Sequence, residues 1–182
     1  MWTADASENF SRSEFSGIIA SMPKALKRIL AMAIAIFAGL WIAVQMVGRD
    51  APAGLGIYNG GLAECPSSPN CICSYCEGSH KMPPLVFKGD ATSAKQAIKN
   101  ALDKEGITVI EERENYLHAV ATTPIMRFRD DLEFLIQSEA KRIQFRSASR
   151  LGKSDLGKNR ARLSEIIQRL SADQIIPEAE KR

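Results

Sequence analysis

ITVIEERENYLHAVATTPIMRFRDDLEFLIQSEAKRIQFRSA, residues 107–148, is the stretch of sequence that decides the fold. Short runs of alternating apolar and polar residues recur in it, rich in β-branched and aromatic side chains and separated by turn-forming residues. This alternation is typical of strands that bury one face. It predicts four antiparallel strands, at residues 107–112, 116–123, 131–136 and 142–148.

The last two predicted strands are close enough in sequence to form a hairpin through residues 138–141. In that register Phe134 lies opposite Phe145, and Glu133 lies opposite Arg146. The two phenylalanines then face the core. On the other face Glu133 and Arg146 form a cross-strand ion pair, which contributes about 0.2 to 1 kcal/mol.

Two amphipathic helices flank the predicted sheet. Residues 93–105 and 159–170 each place apolar side chains on one face at helical spacing. The order α-β-β-β-β-α predicts a domain of the α+β class, a four-stranded antiparallel sheet with two helices packed on one face.

Residues 29–47, ILAMAIAIFAGLWIAVQMV, run for 19 residues without a charge. As a helix they are about 28 Å long, enough to span a bilayer. A core helix would show a polar stripe, and the apolar core of a cleaved signal peptide is normally shorter. We therefore predict one uncleaved transmembrane helix before the domain.

The basic residues around this span predict its orientation. Lys24, Lys27 and Arg28 precede it, whereas Arg49 alone follows it, and this bias places the N-terminus in the cytoplasm. The predicted organisation has five parts: a cytoplasmic tail at 1–25, a transmembrane anchor at 26–47, a Gly-rich tether at 48–61, an extracytoplasmic domain at 62–172 and a polar tail at 173–182.

All four cysteines lie in CPSSPNCICSYC, residues 65–76. Thiols in an exported domain usually oxidise, and four cysteines allow three pairings. Cys65 with Cys71 is the preferred bridge, because two prolines bend the loop between them. Cys73 and Cys76 would then form the second disulfide.

Two alternatives stay open for these cysteines. Cys71, Cys73 and Cys76 with Cys65 or His80 could bind zinc, although C-x-C is not the usual zinc spacing. The C-x-x-C pair also has the spacing of a redox disulfide. Structural disulfides are favoured, and no metal or other cofactor is predicted.

RSASRLGKSDLGKNRAR, residues 146–162, joins the last strand to the last helix. Ser154 or Asp155 is well placed to accept hydrogen bonds from the N–H groups that open the helix. These N–H groups and the helix dipole also favour anions. The predicted anion- or partner-binding residues are Arg150, Lys153, Ser154, Asp155, Lys158, Asn159 and Arg162.

Arg160 projects within about 60° of the apolar stripe of this helix, and an arginine should not enter a core unpaired. The nearest carboxylates in the predicted topology are Asp130 and Asp131. We therefore expect an ion pair from Arg160 to one of them, and with Glu133 and Arg146 this completes a predicted ion-pair lock. Arg162, by contrast, is expected to point to solvent.

Three blocks of sequence resemble, in order, the bacterial and plastid DUF family 1499, a domain of unknown function: CPSSPNC at 65–71, YLHAVATTPIMRFRDDLEF at 116–134 and RSASRLGKSDLGKNR at 146–160. The resemblance covers about residues 62–171 and implies no reaction. In the family pattern the first two cysteines recur, whereas Cys73 and Cys76 look like additions. With the anchor, it places the protein in a bacterial inner (cytoplasmic) membrane, with its C-terminal domain in the periplasm or extracellular space.

The sequence favours a non-catalytic envelope module that binds an envelope protein, a phospholipid headgroup or another anion. A net charge of +3 is too small to predict a nucleic-acid partner. One alternative is a hydrolase using Asp130, Asp131, Asp155 and Ser149 or Ser154 with His118. No G-x-S-x-G, Walker or H-E-x-x-H motif supports it, and no catalytic residue is assigned. The other is a thiol or metal site in the Cys65–Cys76 loop.

Overall fold

The computed structural model describes residues 20–176. The chain divides after Ala43 into two compact units. Most of helix α1 (Lys24–Val47) belongs to the first unit, and every other element belongs to the second. The parts of the predicted tails at 1–19 and 177–182 lie outside the described residues.

Helix α1 is apolar over almost its whole length. Its most apolar 18 residues have a mean hydropathy of 2.3, and none of its residues is buried. Phe37 and Leu40 expose 60% and 62% of their surface. It is the one helix in residues 20–176 with the length and composition to cross a membrane, and a signal sequence has the same features.

Eight strands follow: β1 (Ile57–Tyr58), β2 (Gly61–Leu62), β3 (Cys71–Cys73), β4 (Leu85–Val86), β5 (Thr108–Glu112), β6 (Tyr116–Thr122), β7 (Arg129–Gln137) and β8 (Arg142–Ser149). β1 and β2 form a hairpin. The others form an antiparallel sheet in the order β3-β8-β7-β6-β5, and β4 also pairs with β8. The α+β class is confirmed, but the sheet has six strands rather than the predicted four.

The two extra strands lie beside β8. β3 places Ile72 opposite Ser147, and β4 places Leu85 opposite Ile143. Strands of three and two residues are too short to show an alternating pattern, which is why the sequence did not predict them. The predicted register of β7 and β8 is confirmed, with Phe134 opposite Phe145 and Glu133 opposite Arg146.

Helices α2 (Ala91–Lys104) and α3 (Lys158–Ala172) supply the rest of the core. Their apolar stripes pack with Leu132, Phe134 and Ile136 in one cluster of buried residues on the helix face of the sheet. Ile176 is 4% exposed and belongs to the same cluster. The predicted polar tail therefore begins too early, because residues 175–176 complete the core.

Part of the opposite face of the sheet, which we call the second face, is also covered. Ile57 and Leu62, in the hairpin of β1 and β2, pack against Tyr116 and Leu135. The Gly56 N–H donates to a carboxylate on this face at 2.7 Å. Residues 56–61 of the predicted tether are therefore folded onto the sheet rather than forming a free linker.

Asp155 caps the start of α3. Its Oδ2 accepts from the Asn159 N–H at 2.7 Å, and its Oδ1 accepts from the Gly157 N–H at 3.1 Å. Asp155→Ala should lower the free energy of unfolding by about 1 kcal/mol, measured by urea denaturation. Ser154→Ala is the matched control, because within residues 20–176 Ser154 Oγ accepts from the N–H of Leu156 alone, before the helix, at 3.3 Å. An equal loss in both variants would contradict the capping role.

Candidate functional site

Strand β7 carries three buried carboxylates. Asp130, Asp131 and Glu133 are 5%, 1% and 0% exposed. Successive strand residues point to opposite faces, so Asp130 faces the helices, whereas Asp131 and Glu133 lie on the second face. Each of the three has its own arginine, and the three pairs define the polar interior of the domain.

On the helix side, Asp130 Oδ2 accepts from Arg162 Nη2 at 2.7 Å. Arg162 Nη1 donates to Asn159 Oδ1 at 2.9 Å, and Ser147 Oγ donates to the same oxygen at 2.6 Å. The Asn159 amide donates in turn to the carbonyl oxygen of Asn70 at 3.0 Å. These bonds connect α3 to β8 and to the cysteine loop, residues 65–76. Arg162 is therefore paired inside the domain, and the prediction that it points to solvent is wrong.

On the second face, Asp131 is hydrogen-bonded to two side chains, those of Arg150 and His118. Arg150 donates to both carboxylate oxygens, from Nη2 at 2.7 Å and Nε at 2.9 Å. His118 Nε2 lies 2.8 Å from Asp131 Oδ1. Burial raises the pKa of Asp131, but the hydrogen bonds from His118 and Arg150 outweigh it and hold the pKa below its ordinary value.

Glu133 lies two residues along on the same face. It accepts from Arg146 Nη1 at 2.9 Å, from the Tyr116 hydroxyl at 2.8 Å and from the Gly56 N–H at 2.7 Å. The predicted pair with Arg146 is therefore buried rather than superficial. Burial raises the pKa of Tyr116, and the charge of Glu133 raises it further.

The predicted lock from Arg160 to Asp130 or Asp131 is wrong. Arg160 Nη2 donates instead to the carbonyl oxygens of Ser79 at 2.6 Å and Lys81 at 3.1 Å. The apolar stripe of α3 does not point towards Asp130, which pairs instead with Arg162, two positions further along the helix. Asp131 lies on the opposite face of the sheet and pairs with Arg150.

The predicted loop site does not form as one surface. Five of its seven residues make side-chain hydrogen bonds within the domain: Arg150, Ser154, Asp155, Asn159 and Arg162. Lys153, Ser154 and Lys158 are exposed.

A cavity of about 350 Å³ opens on the second face and is lined by Arg49, Arg129, Arg150 and His118. We call it the arginine cavity. Apolar side chains, among them Val120, form part of its wall, and no Asp or Glu is among its described lining residues. The sequence did not predict this site, because Arg49 and Arg129 are far apart in the chain and only the fold brings them together.

The arginines of the cavity differ in how many of their N–H donors already have acceptors in the protein. Arg150 Nη1 donates to the carbonyl oxygens of Arg49 at 2.8 Å and Gly48 at 3.3 Å, so with Asp131 four of its five N–H donors are occupied. Arg129 is half-buried and donates from Nη1 to Gly48 O at 2.9 Å. The exposed Arg49 side chain has no ion pair within residues 20–176.

Residues 61–170 match the family model described as Protein of unknown function (DUF1499). The match spans more than half of the chain. The chain belongs to the DUF1499 family. No curated protein matches the chain. Most of the arginine cavity lies within the DUF1499 segment, whereas Arg49 precedes it.

The carboxylates of the hydrolase alternative do not converge in this DUF1499 domain. Asp130 and Asp131 lie on opposite faces of the sheet, each paired with an arginine, and Asp155 caps α3. Of the residues in this alternative, His118 is hydrogen-bonded to Asp131, and Ser149 lies opposite Asp130 in the neighbouring strand. This geometry removes the basis for a site built on three carboxylates.

The cysteines of the DUF1499 domain are joined in the preferred pairing. Cys65 pairs with Cys71 and Cys73 with Cys76, at Cα–Cα distances of 5.7 and 5.4 Å. β3 holds the two middle cysteines beside β8, and both are wholly buried. The bridges therefore fix the loop at one edge of the sheet.

Proposed function

We propose that this DUF1499 domain is a non-catalytic, membrane-tethered module that binds the phosphate of an anionic phospholipid headgroup in the arginine cavity. The proposal rests on the positive charge of the wall of the arginine cavity. Arg49, Arg129 and Arg150 line one cavity, and Asp131 offsets only one of these charges. Such a concave, basic surface concentrates anions.

Two of the arginines are available to a ligand. Arg150 is hydrogen-bonded to Asp131 and to backbone carbonyls, so it forms a fixed part of the cavity wall rather than contacting a ligand. A guanidinium has five N–H donors, and Arg129 gives one of its own to Gly48 O. Arg129 and Arg49 are therefore the proposed phosphate-binding residues, and the flat fork of a guanidinium suits phosphate oxygens.

The position of Arg49 in the chain favours a lipid as the source of the phosphate. Arg49 is two residues beyond Val47, the last residue of α1. An extended chain advances at most about 3.6 Å per residue, which keeps Arg49 within roughly 7 Å of the helix end. If α1 is an anchor, Arg49 lies at the depth of the headgroups on the non-cytoplasmic side of a bacterial inner membrane.

Replacing Arg129 by glutamine should weaken the binding of phosphatidylglycerol about fivefold, because one basic group near a lipid surface contributes about 1 kcal/mol. The measurement is native mass spectrometry of the full chain in detergent, titrated with phosphatidylglycerol or with zwitterionic phosphatidylcholine. Wild type should retain phosphatidylglycerol preferentially, and Arg129→Gln should lose most of this preference.

Arg142→Gln is the matched control, because it removes the same charge from the far end of β8. It should keep the wild-type preference. The variants all keep the basic residues before α1, namely Lys24, Lys27 and Arg28. Lipid bound at these residues therefore contributes equally to the measurement for each variant. A parallel titration with inorganic phosphate separates a free anion from a lipid. Equal loss in both variants, or no preference in wild type, would refute headgroup binding in this cavity.

A further inference from the structure

We infer that the cysteine loop, residues 65–76, is a thiol–disulfide exchange site. In it, electrons from an external dithiol enter at Cys73–Cys76 and pass to Cys65–Cys71. This goes beyond a structural role for the two bridges. It is also independent of headgroup binding, and the failure of either proposal leaves the other standing.

The two disulfides lie next to each other. The sulfurs of Cys65, Cys73 and Cys76 are all within 4.8 Å of one another. Cys65 belongs to one bridge, and the other two cysteines form the second. A thiolate released from the second bridge therefore has Cys65 Sγ as a neighbouring electrophile.

Access to the four sulfurs is uneven. Cys65 and Cys76 are partly exposed and line a cavity of about 300 Å³ together with His80. Cys71 and Cys73 are wholly buried. Within the Cys73–Cys76 bridge it is Cys76 that is partly exposed, so a thiolate from solvent attacks Cys76 Sγ and expels the buried Cys73, whose sulfur lies within 4.8 Å of Cys65 Sγ.

The exchange is balanced in sulfur, electrons and protons. One thiolate of the dithiol attacks Cys76 Sγ, forms a mixed disulfide and expels the Cys73 thiolate. The second thiol of the dithiol resolves the mixed disulfide, leaves as the oxidised disulfide and releases Cys76.

The second half of the exchange is internal. The Cys73 thiolate attacks Cys65 Sγ, and Cys71 leaves as a thiolate and takes up a proton. Cys76 then attacks Cys73 Sγ, which restores Cys73–Cys76 and releases Cys65 as a thiol. The dithiol has lost two electrons and two protons, and the Cys65–Cys71 pair has gained them.

The test is to place a single free thiol in the second bridge. Oxidised full chain with Cys76→Ser has Cys73 as its free thiol. After incubation at neutral pH, acid quenching, trapping with excess N-ethylmaleimide and peptide mapping, the label should divide between Cys73 and Cys71, with a new Cys65–Cys73 bridge. Because the thiolate attacks, exchange should speed up about tenfold per pH unit below about pH 8.5. Label confined to Cys73 would overturn the inference.

Cys65→Ser is the matched control. It frees Cys71, which is wholly buried and is not one of the three clustered sulfurs, so its label should stay on Cys71. Equal spreading in this variant would show that exchange does not pass through the cluster and would refute the route. Wild type treated with one equivalent of dithiothreitol gives a test without any substitution. Label on Cys73 and Cys76 alone refutes the relay.

Discussion

Replacing Glu133 by alanine will lower the free energy of unfolding by about 3 to 5 kcal/mol, because it leaves a buried charge without its partner. Arg146 loses its carboxylate, and the Tyr116 hydroxyl and the Gly56 N–H lose their acceptor. Glu133 is 0% exposed, so water cannot readily replace the missing oxygens. Chemical denaturation monitored by circular dichroism measures the loss.

Glu112→Ala is the matched control for this prediction. Glu112 also pairs with basic side chains, Lys95 and Lys99, but at the surface of the domain. Exposed ion pairs contribute little, so the loss in this variant should be far smaller. If Glu133→Ala is as stable as Glu112→Ala, the buried pair of Glu133 and Arg146 does not contribute to the stability of the domain as predicted.

Replacing Asp131 by asparagine will lower the free energy of unfolding by about 3 kcal/mol or more at neutral pH. Arg150 then faces a neutral amide in a site where Asp131 is 1% exposed. The effect should depend on pH. The lowered pKa of Asp131 means that its contribution is fully present above the unfolded pKa, near 3.9, and is lost as the pH falls through the folded value.

The difference between wild type and Asp131→Asn should therefore shrink below about pH 4. Urea denaturation of both proteins at neutral and acidic pH tests this. A difference that stays constant with pH would mean that the charge of Asp131 is not what stabilises the site. Asp155→Asn serves as control, because Asp155 caps a helix and makes no ion pair within residues 20–176.

The same substitution should act in the opposite direction on ligand binding. Asp131→Asn removes the carboxylate that offsets Arg150 and so adds one net positive charge beside the arginine cavity. Variant molecules that remain folded should bind phosphatidylglycerol about fivefold more tightly. Lower stability with tighter binding separates an anion-binding cavity from a purely structural cluster.

The central part of the fold was predictable because its patterns are local. Alternation in β7 and β8 and a short hairpin determine which residues face each other, so Phe134 opposite Phe145 and Glu133 opposite Arg146 followed from the sequence. The helix that carries Leu163 follows equally from its apolar spacing.

The candidate site was not predictable because it depends on long-range contacts. Which arginine of α3 meets Asp130 depends on where the first helical turn sits over the sheet, and the apolar stripe does not specify this for Arg160 and Arg162. Arg49 and Arg129 line one cavity only because residues after α1 fold back onto the second face of the sheet. No spacing motif in the sequence indicates such a long-range arrangement.

The most direct measurement uses phosphatidylglycerol with a photoreactive group on its headgroup, in membranes containing the full chain, followed by mapping of the labelled residues. Binding in the arginine cavity predicts labels at cavity residues such as Thr108 and Thr122, competed by unmodified phosphatidylglycerol and lost in Arg129→Gln. Labels confined to other parts of the chain, or cavity labels that persist in Arg129→Gln, would contradict it.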